Sequence, residues 1–162
     1  MEIQTVVVGG LQMPSLIVLK GADEDTRETH LPIRIGPVEA AAITEAIDHH
    51  KKRRPLTHDL LASTIEALGA RVTAVDIVSV EGTTFYANLR LVRGDGMRAE
   101  LDCRPSDAIA LAVRTGAPIY ARESVLDTAT MPDFQSVEKD AEAQEMAAFH
   151  DFVEGLNPED FA

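Results

Sequence analysis

Short apolar segments separated by polar and glycine-containing breaks open the chain. Residues 3–8 and 15–19 are rich in Val, Ile and Leu, and the break between them contains Gly9-Gly10. Residues 31–35 then alternate between apolar side chains and Pro or Arg. This pattern predicts three short β-strands, since alternation with turn residues at the ends is typical of strands.

Two helices are predicted to follow these strands. Pro37 suits the first turn of a helix, and the apolar positions that begin at Val38 recur at helical spacing. Thr57 is a suitable N-cap for the second helix, because its hydroxyl can accept a backbone N–H. The predicted buried face of that second helix carries Leu60, Leu61, Ile65 and Leu68.

Strand patterns return in the second half, over residues 71–80 and 84–91. Arg93-Gly94-Asp95-Gly96 predicts a hairpin turn before a returning strand. Pro105 predicts the start of a third helix, which is apolar all round over 108–113 and should therefore be buried. The side chains of the returning strand that should point inward are Met97, Ala99, Leu101 and Cys103.

Grouped strands without regular βαβ alternation favour an α+β fold over a doubly wound sheet. The start of the first helix, Pro37-x-Glu39, returns as Pro105-x-Asp107 in the third. This echo indicates a duplication of two halves, although two helix starts can also resemble each other without common origin. We predict one domain over residues 1–130 and an acidic helical tail over 131–162.

The charge balance limits the classes of partner. The chain has 162 residues, with 15 Lys and Arg against 27 Asp and Glu, for a net charge of −12. Such a chain should not bind nucleic acid tightly and nonspecifically, since that binding depends on basic surface. The tail is the most acidic part and is expected to be solvated, or to dock on a protein partner through an apolar stripe over 138–155.

One cysteine excludes an internal disulfide, and no apolar run has the length of a membrane span. The N-terminus lacks the pattern of a signal peptide, so we expect a cytoplasmic protein without membrane association. The phosphate-binding loop, the dinucleotide fingerprint, the nucleophile elbow and the common zinc motifs are all missing. Cys103 is interpreted as a buried structural thiol rather than a nucleophile.

The first candidate site is the junction between a strand and the third helix. Asp102 and Arg104 share a strand face, and Asp107 lies in the first helical turn. Two carboxylates could hold a divalent metal while the guanidinium meets a phosphate. Alternatively, Asp107 caps the helix and Arg104 pairs with Asp102.

The second candidate is the start of the second helix. His58 could act as a general base and Asp59 could orient it or bind metal. Alternatively, this is an ordinary capped helix with an exposed histidine. The preceding basic run, residues 49–54, could approach a phosphate backbone, and Tyr86 and Arg90 on a polar sheet face could bind substrate or a second subunit.

These stretches together resemble the bifunctional nuclease family of small bacterial and plant proteins. The resemblance covers roughly residues 2–126, with a weaker match in the tail. Its motifs are Leu31-Pro32-Ile33-Arg34-Ile35-Gly36, Arg54-Pro55-Leu56-Thr57-His58-Asp59-Leu60 and Asp102-Cys103-Arg104-Pro105-Ser106-Asp107-Ala108. Cys103 replaces the small residue, often alanine, that the family pattern has there.

The resemblance implies an α+β fold whose duplicated strand-strand-strand-helix-helix halves form a curved, barrel-like mixed sheet with packed helices. It also implies self-association, with a dimer favoured, and cleavage of both DNA and RNA. Our leading hypothesis is a low-specificity nuclease assisted by Mg²⁺ or Mn²⁺. Asp102 and Asp107 would hold the metal, Arg104 would stabilise phosphoryl charge, and His58, with Asp59 beside it, would activate water.

Two other functions fit the same residues. In a non-enzymatic binding or regulatory module, the polar clusters would be structural and protein–protein contacts would carry the function. In a small-ligand sensor, Arg104 would grip an anionic metabolite. A single cleft lined by the carboxylates and the imidazole would favour the enzyme over both.

Overall fold

The structure, a computed structural model, describes residues 1–9, 14–48 and 54–128. All of them belong to the unit Met1–Thr130, and the acidic tail predicted over 131–162 lies outside the described residues. The strands are β1 (Glu2–Val7), β2 (Ser15–Lys20), β3 (His30–Ile35), β4 (Ala70–Glu81), β5 (Thr84–Arg93), β6 (Arg98–Cys103) and β7 (Ile119–Ala121). The α-helices are α1 (Pro37–Ile47), α2 (Thr57–Ala67), α3 (Pro105–Thr115) and α4 (Glu123–Thr128). In these ranges no helix has both the length and the apolarity needed to cross a membrane.

The first sheet is an antiparallel meander in the order β1-β2-β3. Ile17 pairs with Ile33 and Leu19 with Leu31, so apolar side chains line one face of the sheet. All four are fully or almost fully buried. The strands and their alternation agree with the sequence pattern.

The second sheet has the order β6-β5-β4-β7, in which only β7 is parallel to its neighbour. Its register separates two faces. Val75 pairs with Leu89 and with Ile119, and these side chains face the core. The adjacent row, which includes Asp76 and Asn88, therefore points to the opposite face, because successive side chains of a strand alternate.

Helix α3 lies at the centre of the core and packs on α1, α2, β4 and β5. Residues 108–112 are at most 2% exposed, which confirms the prediction of a buried helix. Small side chains at Ala108, Ala110 and Ala112 allow several elements to approach it at once. Gly116 ends the helix with a positive φ of 69°, a conformation that glycine adopts without strain.

The fold is α+β, but the sheet is not one curved barrel. Within the described ranges, two separate sheets form, with three and four strands. In the second half α3 is followed by the short strand β7 and the short helix α4, so the described residues do not repeat the strand-strand-strand-helix-helix order that the resemblance implies. The duplication is therefore not confirmed, although α1 and α3 have the same length of 11 residues and both begin at proline.

The predicted buried face of α2 is confirmed only at Ile65. Leu60, Leu61 and Leu68 are 63%, 42% and 80% exposed, and no residue of α2 is fully buried. Ala62, together with the predicted Ile65, packs against the core. This orientation agrees with two polar contacts at the N-terminus of α2, which are described below.

The inward side of β6 is also less buried than predicted. Met97, just before β6, and Leu101 within it are 59% and 49% exposed, while Ala99 and Cys103 are half-buried. β6 is the edge strand of its sheet, and α3 packs over β4 and β5 instead. The alternation of side chains correctly identified which face of β6 points inward. How much of that face is buried depends on the position of α3.

Candidate functional site at three helix N-termini

Residues from the first turns of α1, α2 and α3 meet in one polar network. Glu39, His58 and Asp107 each lie in the first turn of one of these helices, and Arg104 is the residue just before α3. We call these four residues the Arg104 cluster. The positive ends of helix dipoles favour negative charge, so carboxylates and anions are stabilised at such a meeting point.

Arg104 links the cluster. Its Nε donates to Asp107 Oδ2 at 2.8 Å and Nη2 donates to Asp107 Oδ1 at 3.2 Å, while Nη1 donates to Glu39 Oε1 at 2.9 Å. These contacts raise the pKa of the guanidinium above its ordinary value, mainly through the hydrogen bond to Asp107. The side chain is still 65% exposed, so a solute can reach a guanidinium whose orientation is already set.

Gly36 allows Glu39 to take part. The carboxylate of Glu39 folds back over the backbone just before α1, where a Cβ at position 36 would collide with Oε2. A side chain at Gly36 would therefore force the carboxylate of Glu39 to shift. Glycine at this position of the motif leaves room for the Glu39 carboxylate to approach the backbone closely.

His58 and Asp107 form the second link. His58 Nε2 lies 3.1 Å from Asp107 Oδ1, and the imidazole is only 15% exposed. Partial burial alone would raise the pKa of Asp107, but the hydrogen bonds from Arg104 and His58 together lower it below the ordinary value. An ionised carboxylate only accepts hydrogen bonds, so Nε2 donates, and Nδ1 is the acceptor nitrogen of the neutral ring.

Asp59 belongs to a different network. Its Oδ2 accepts the N–H of Leu56 at 2.8 Å and its Oδ1 accepts Nε of Arg114 at 2.7 Å. Leu56, rather than Thr57, is the N-cap of α2. Asp59 therefore stabilises the start of α2 and directs the neighbouring His58 toward α3.

Arg114 is the residue that the sequence analysis missed. It is 7% exposed, and besides Asp59 it donates to the carbonyls of Ala110 at 2.9 Å and Ala42 at 3.1 Å. It thus joins α1, α2 and α3. A cation in the last turn of an otherwise buried helix is a signal that could have been noticed, since a buried guanidinium requires partners.

Asp102 is not brought to the Arg104 cluster. It pairs with Asn88 across the sheet, is exposed, and lies on the face opposite to Cys103. Arg104 pairs with Asp107 and Glu39 rather than with Asp102.

The expected metal ligands do not fit a shared ion in this arrangement. Both oxygens of Asp107 already accept hydrogen bonds, and Asp102 faces elsewhere. Within the ranges that the structure describes, no group of three or more His, Cys, Asp or Glu side chains is placed to hold a metal. One or two carboxylates with several waters usually hold Mg²⁺, but a shared ion would require Asp102 and Asp107 to converge, and these two carboxylates do not.

Cys103 has the environment of a structural thiol. Its Sγ donates to the carbonyl of Ala87 at 3.5 Å. Burial, followed by the charges of Asp102 and Asp107, raises the pKa of the thiol to about 11. The group is thus neutral near pH 7, which is unfavourable for a nucleophile.

A cleft between α2, α3 and the start of β4 does not include the Arg104 cluster. That cleft has a volume of about 590 Å³, and its lining includes Asp59 and Arg114 but no member of the cluster. Of the basic run over 49–54, residues 49–53 lie outside the described residues and Arg54 is exposed.

Comparison with known proteins decides the family. Residues 17–133 match the bifunctional nuclease domain. The chain belongs to this family. The match includes His58, Arg104 and Asp107, so the Arg104 cluster lies inside the family's domain.

Two bacterial relatives match almost the whole chain. An uncharacterized protein of Mycobacterium tuberculosis (strain CDC 1551 / Oshkosh) is 39% identical over 158 residues, covering 93% of this chain and 90% of that protein. A protein of strain ATCC 25618 / H37Rv matches to the same extent. Bifunctional nuclease 2 of Oryza sativa subsp. japonica is 33% identical over 104 residues, covering 63% of this chain and 32% of the rice protein.

Proposed function

We propose that this protein is a low-specificity nuclease that hydrolyses phosphodiester bonds in DNA and RNA at the Arg104 cluster. The observation that carries the proposal is the exposed guanidinium of Arg104, which shares Asp107 with the imidazole of His58. The family match over residues 17–133 supports the reaction class.

The roles follow from the contacts. Arg104 would bind a phosphate through its exposed surface and stabilise the charge that develops in the transition state. His58, with Nε2 donating to Asp107, would take a proton from the attacking water at Nδ1. Asp107 would act as a positioning residue that holds both groups, and Asp59 would position His58 through the start of α2.

The charge of the cluster sets the expected affinity. Two carboxylates surround one guanidinium, so a phosphate meets a site without net positive charge. Binding should therefore be weak and sensitive to salt. A divalent cation such as Mg²⁺ or Mn²⁺ would offset this charge. We therefore propose that cleavage depends on such a cation, and we assign no residues as its ligands.

The experiment measures cleavage of labelled single-stranded DNA and RNA by the wild type, His58→Ala and Arg104→Ala, with Mg²⁺, Mn²⁺ or excess EDTA. We expect each variant to lose at least about 100-fold in kcat/KM, the typical contribution of a general base or a charge-stabilising group. Arg93→Ala is the matched control, since Arg93 pairs with Asp95 in the hairpin. Equal activity in all four proteins would assign the cleavage to a contaminant.

We also propose that the chain self-associates, with a second copy covering the outer face of α2. Leu60, Leu61 and Leu68 are exposed there, and burial against a second copy would remove three large apolar side chains from water. Homodimer formation is the simplest closed assembly.

A binding or regulatory module is the second candidate. The observation that favours it is that Glu39, Arg104 and Asp107 already bond to one another, as in a structural network. Under this alternative, His58→Ala and Arg104→Ala would reduce stability while purified wild type shows no cleavage under any metal condition.

A further inference from the structure

The second sheet has an open polar face on the side opposite to α3. A cavity of about 240 Å³ lies on it, between β4, β5, β6 and β7. The register explains its composition, because these side chains alternate with the core row of Val75 and Leu89. The polar residues that line the cavity are Asp76, Asn88, Arg90, Glu100, Tyr120 and Arg122.

Two flat groups form a prearranged surface in this cavity. Arg90 Nε lies 2.6 Å from Asp76 Oδ2, and Nη2 donates to Asp76 Oδ1 at 2.8 Å. The guanidinium also lies over the ring of Tyr120, 5.3 Å from its centroid. The carboxylate thus fixes the orientation of the guanidinium, and little side-chain entropy remains to be lost when a planar ligand stacks here.

The chain places both of its tyrosines on this open face. Tyr86 is 36% exposed and Tyr120 is 49% exposed. Tyr86 follows the same alternation as Asn88 and Arg90 along β5. Exposed rings beside an arginine are the usual platform on which single-stranded nucleic acids stack their bases.

The remaining lining groups match a nucleobase better than an ion. The Asn88 amide both donates and accepts hydrogen bonds, Glu100 accepts and Arg122 donates, as the edges of bases require. The positive charges of Arg90 and Arg122 are balanced by Asp76 and Glu100. A free phosphate or a divalent cation gains little from such a balanced set, whereas a neutral planar ring gains stacking and hydrogen bonds.

We propose that this cavity binds a nucleobase of single-stranded nucleic acid. The inference deepens the proposed nuclease function, on which it rests for its substrate class. The cavity lies on the open face of the second sheet, and the Arg104 cluster lies at the N-termini of α1, α2 and α3. The two are therefore separate sites, which different nucleotides of one strand would occupy.

The experiment measures binding of fluorescent single-stranded oligonucleotides by anisotropy in EDTA, with an abasic oligonucleotide of equal length as the ligand control. We expect Tyr120→Ala to weaken binding about tenfold, as loss of one stacking ring does. Tyr120→Phe should bind the oligonucleotide with the affinity of the wild type, because the ring is retained. Leu101→Ala is the matched control, since Leu101 is similarly exposed but lies on the other face of the sheet.

Free nucleoside monophosphates form the second arm and distinguish a mononucleotide from a polymer as the natural source of the base. Competition by monophosphates at the affinity of the oligonucleotide supports the base site with a small-molecule ligand. Equal affinity for abasic and normal oligonucleotides, no wild-type binding, or an unchanged Tyr120→Ala would overturn the proposal. Binding that persists in a protein without cleavage activity separates this inference from failure of the nuclease assignment.

Discussion

His58 on α2 and Asp107 on α3 lie 3.1 Å apart from Nε2 to Oδ1, although 49 positions separate them along the chain. Arg104 holds the same carboxylate from the other side. The pair joins the two stretches in which the sequence placed its separate candidate sites. His58, Asp107 and Arg104 therefore form one connected group at this surface.

The first prediction concerns the pH dependence of stability. The pKa of Asp107 is lower in the folded protein than its ordinary value, so its contribution to stability is present above the unfolded pKa of about 3.9 and is lost as the pH falls through the folded value. We expect the free energy of unfolding to decrease below about pH 4, and Asp107→Asn to reduce that decrease. Urea titrations between neutral and acidic pH measure it.

Asp102→Asn is the control for this titration, because Asp102 is exposed on the opposite face of the sheet. It should keep the pH dependence of the wild type. If Asp107→Asn keeps it as well, the contacts of Asp107 with Arg104 and His58 do not stabilise the fold.

The second prediction concerns the partly buried ion pair between Arg114 and Asp59. Arg114→Ala removes three hydrogen bonds and leaves Asp59 without its guanidinium, so we expect a loss of about 3–5 kcal/mol in unfolding free energy. Arg93→Ala breaks an exposed pair with Asp95 and should cost about 0–1 kcal/mol. Similar losses in the two variants would show that Arg114 does not connect the helices.

The third prediction concerns the outer face of α2. Leu60→Lys and Leu68→Lys should leave the fold intact, because both side chains are already mostly exposed. They should convert a dimer into a monomer if a second copy covers this face. Light scattering coupled to gel filtration measures the mass, and Met97→Lys on the hairpin is the exposed control. An unchanged dimer mass would exclude this face as the interface.

The fourth prediction concerns the thiol of Cys103. A pKa of about 11 keeps the thiol protonated at pH 8, so its reaction with a disulfide reagent should be slow and should accelerate as the pH rises toward 11. In urea the same thiol should react at the rate of a free cysteine. Equal rates in the folded and unfolded protein at pH 8 would contradict the burial of this side chain.

Local pattern was enough to predict most elements. Alternation identified the strands of both sheets, and prolines marked the starts of α1 and α3 correctly. The same pattern failed in part for α2, because Leu60 and Leu68 are apolar without being covered. Hydrophobic periodicity identifies the apolar side of a helix. The side of α2 that faces the core is the one that carries two polar contacts with α3, from His58 to Asp107 and from Asp59 to Arg114.

The candidate site shows the same division. Sequence motifs selected His58, Asp59, Arg104 and Asp107, and the structure divides them between two networks. Asp102 faces elsewhere because it lies on an alternating strand, whereas Arg104 follows the end of that strand and is free to turn toward α3. Spacing along the chain does not reveal where a strand ends and a turn redirects a side chain.

The amino-acid order alone determined the secondary structure, the buried character of α3 and the family to which the chain belongs, because these depend on neighbours in sequence. Tertiary structure decided the pairing of Glu39 with Arg104, the burial of Arg114 and the exposed leucines of α2. These features depend on which distant elements pack together. Which elements pack together depends on the burial and hydrogen bonding of the whole domain. A short stretch of sequence does not contain this information.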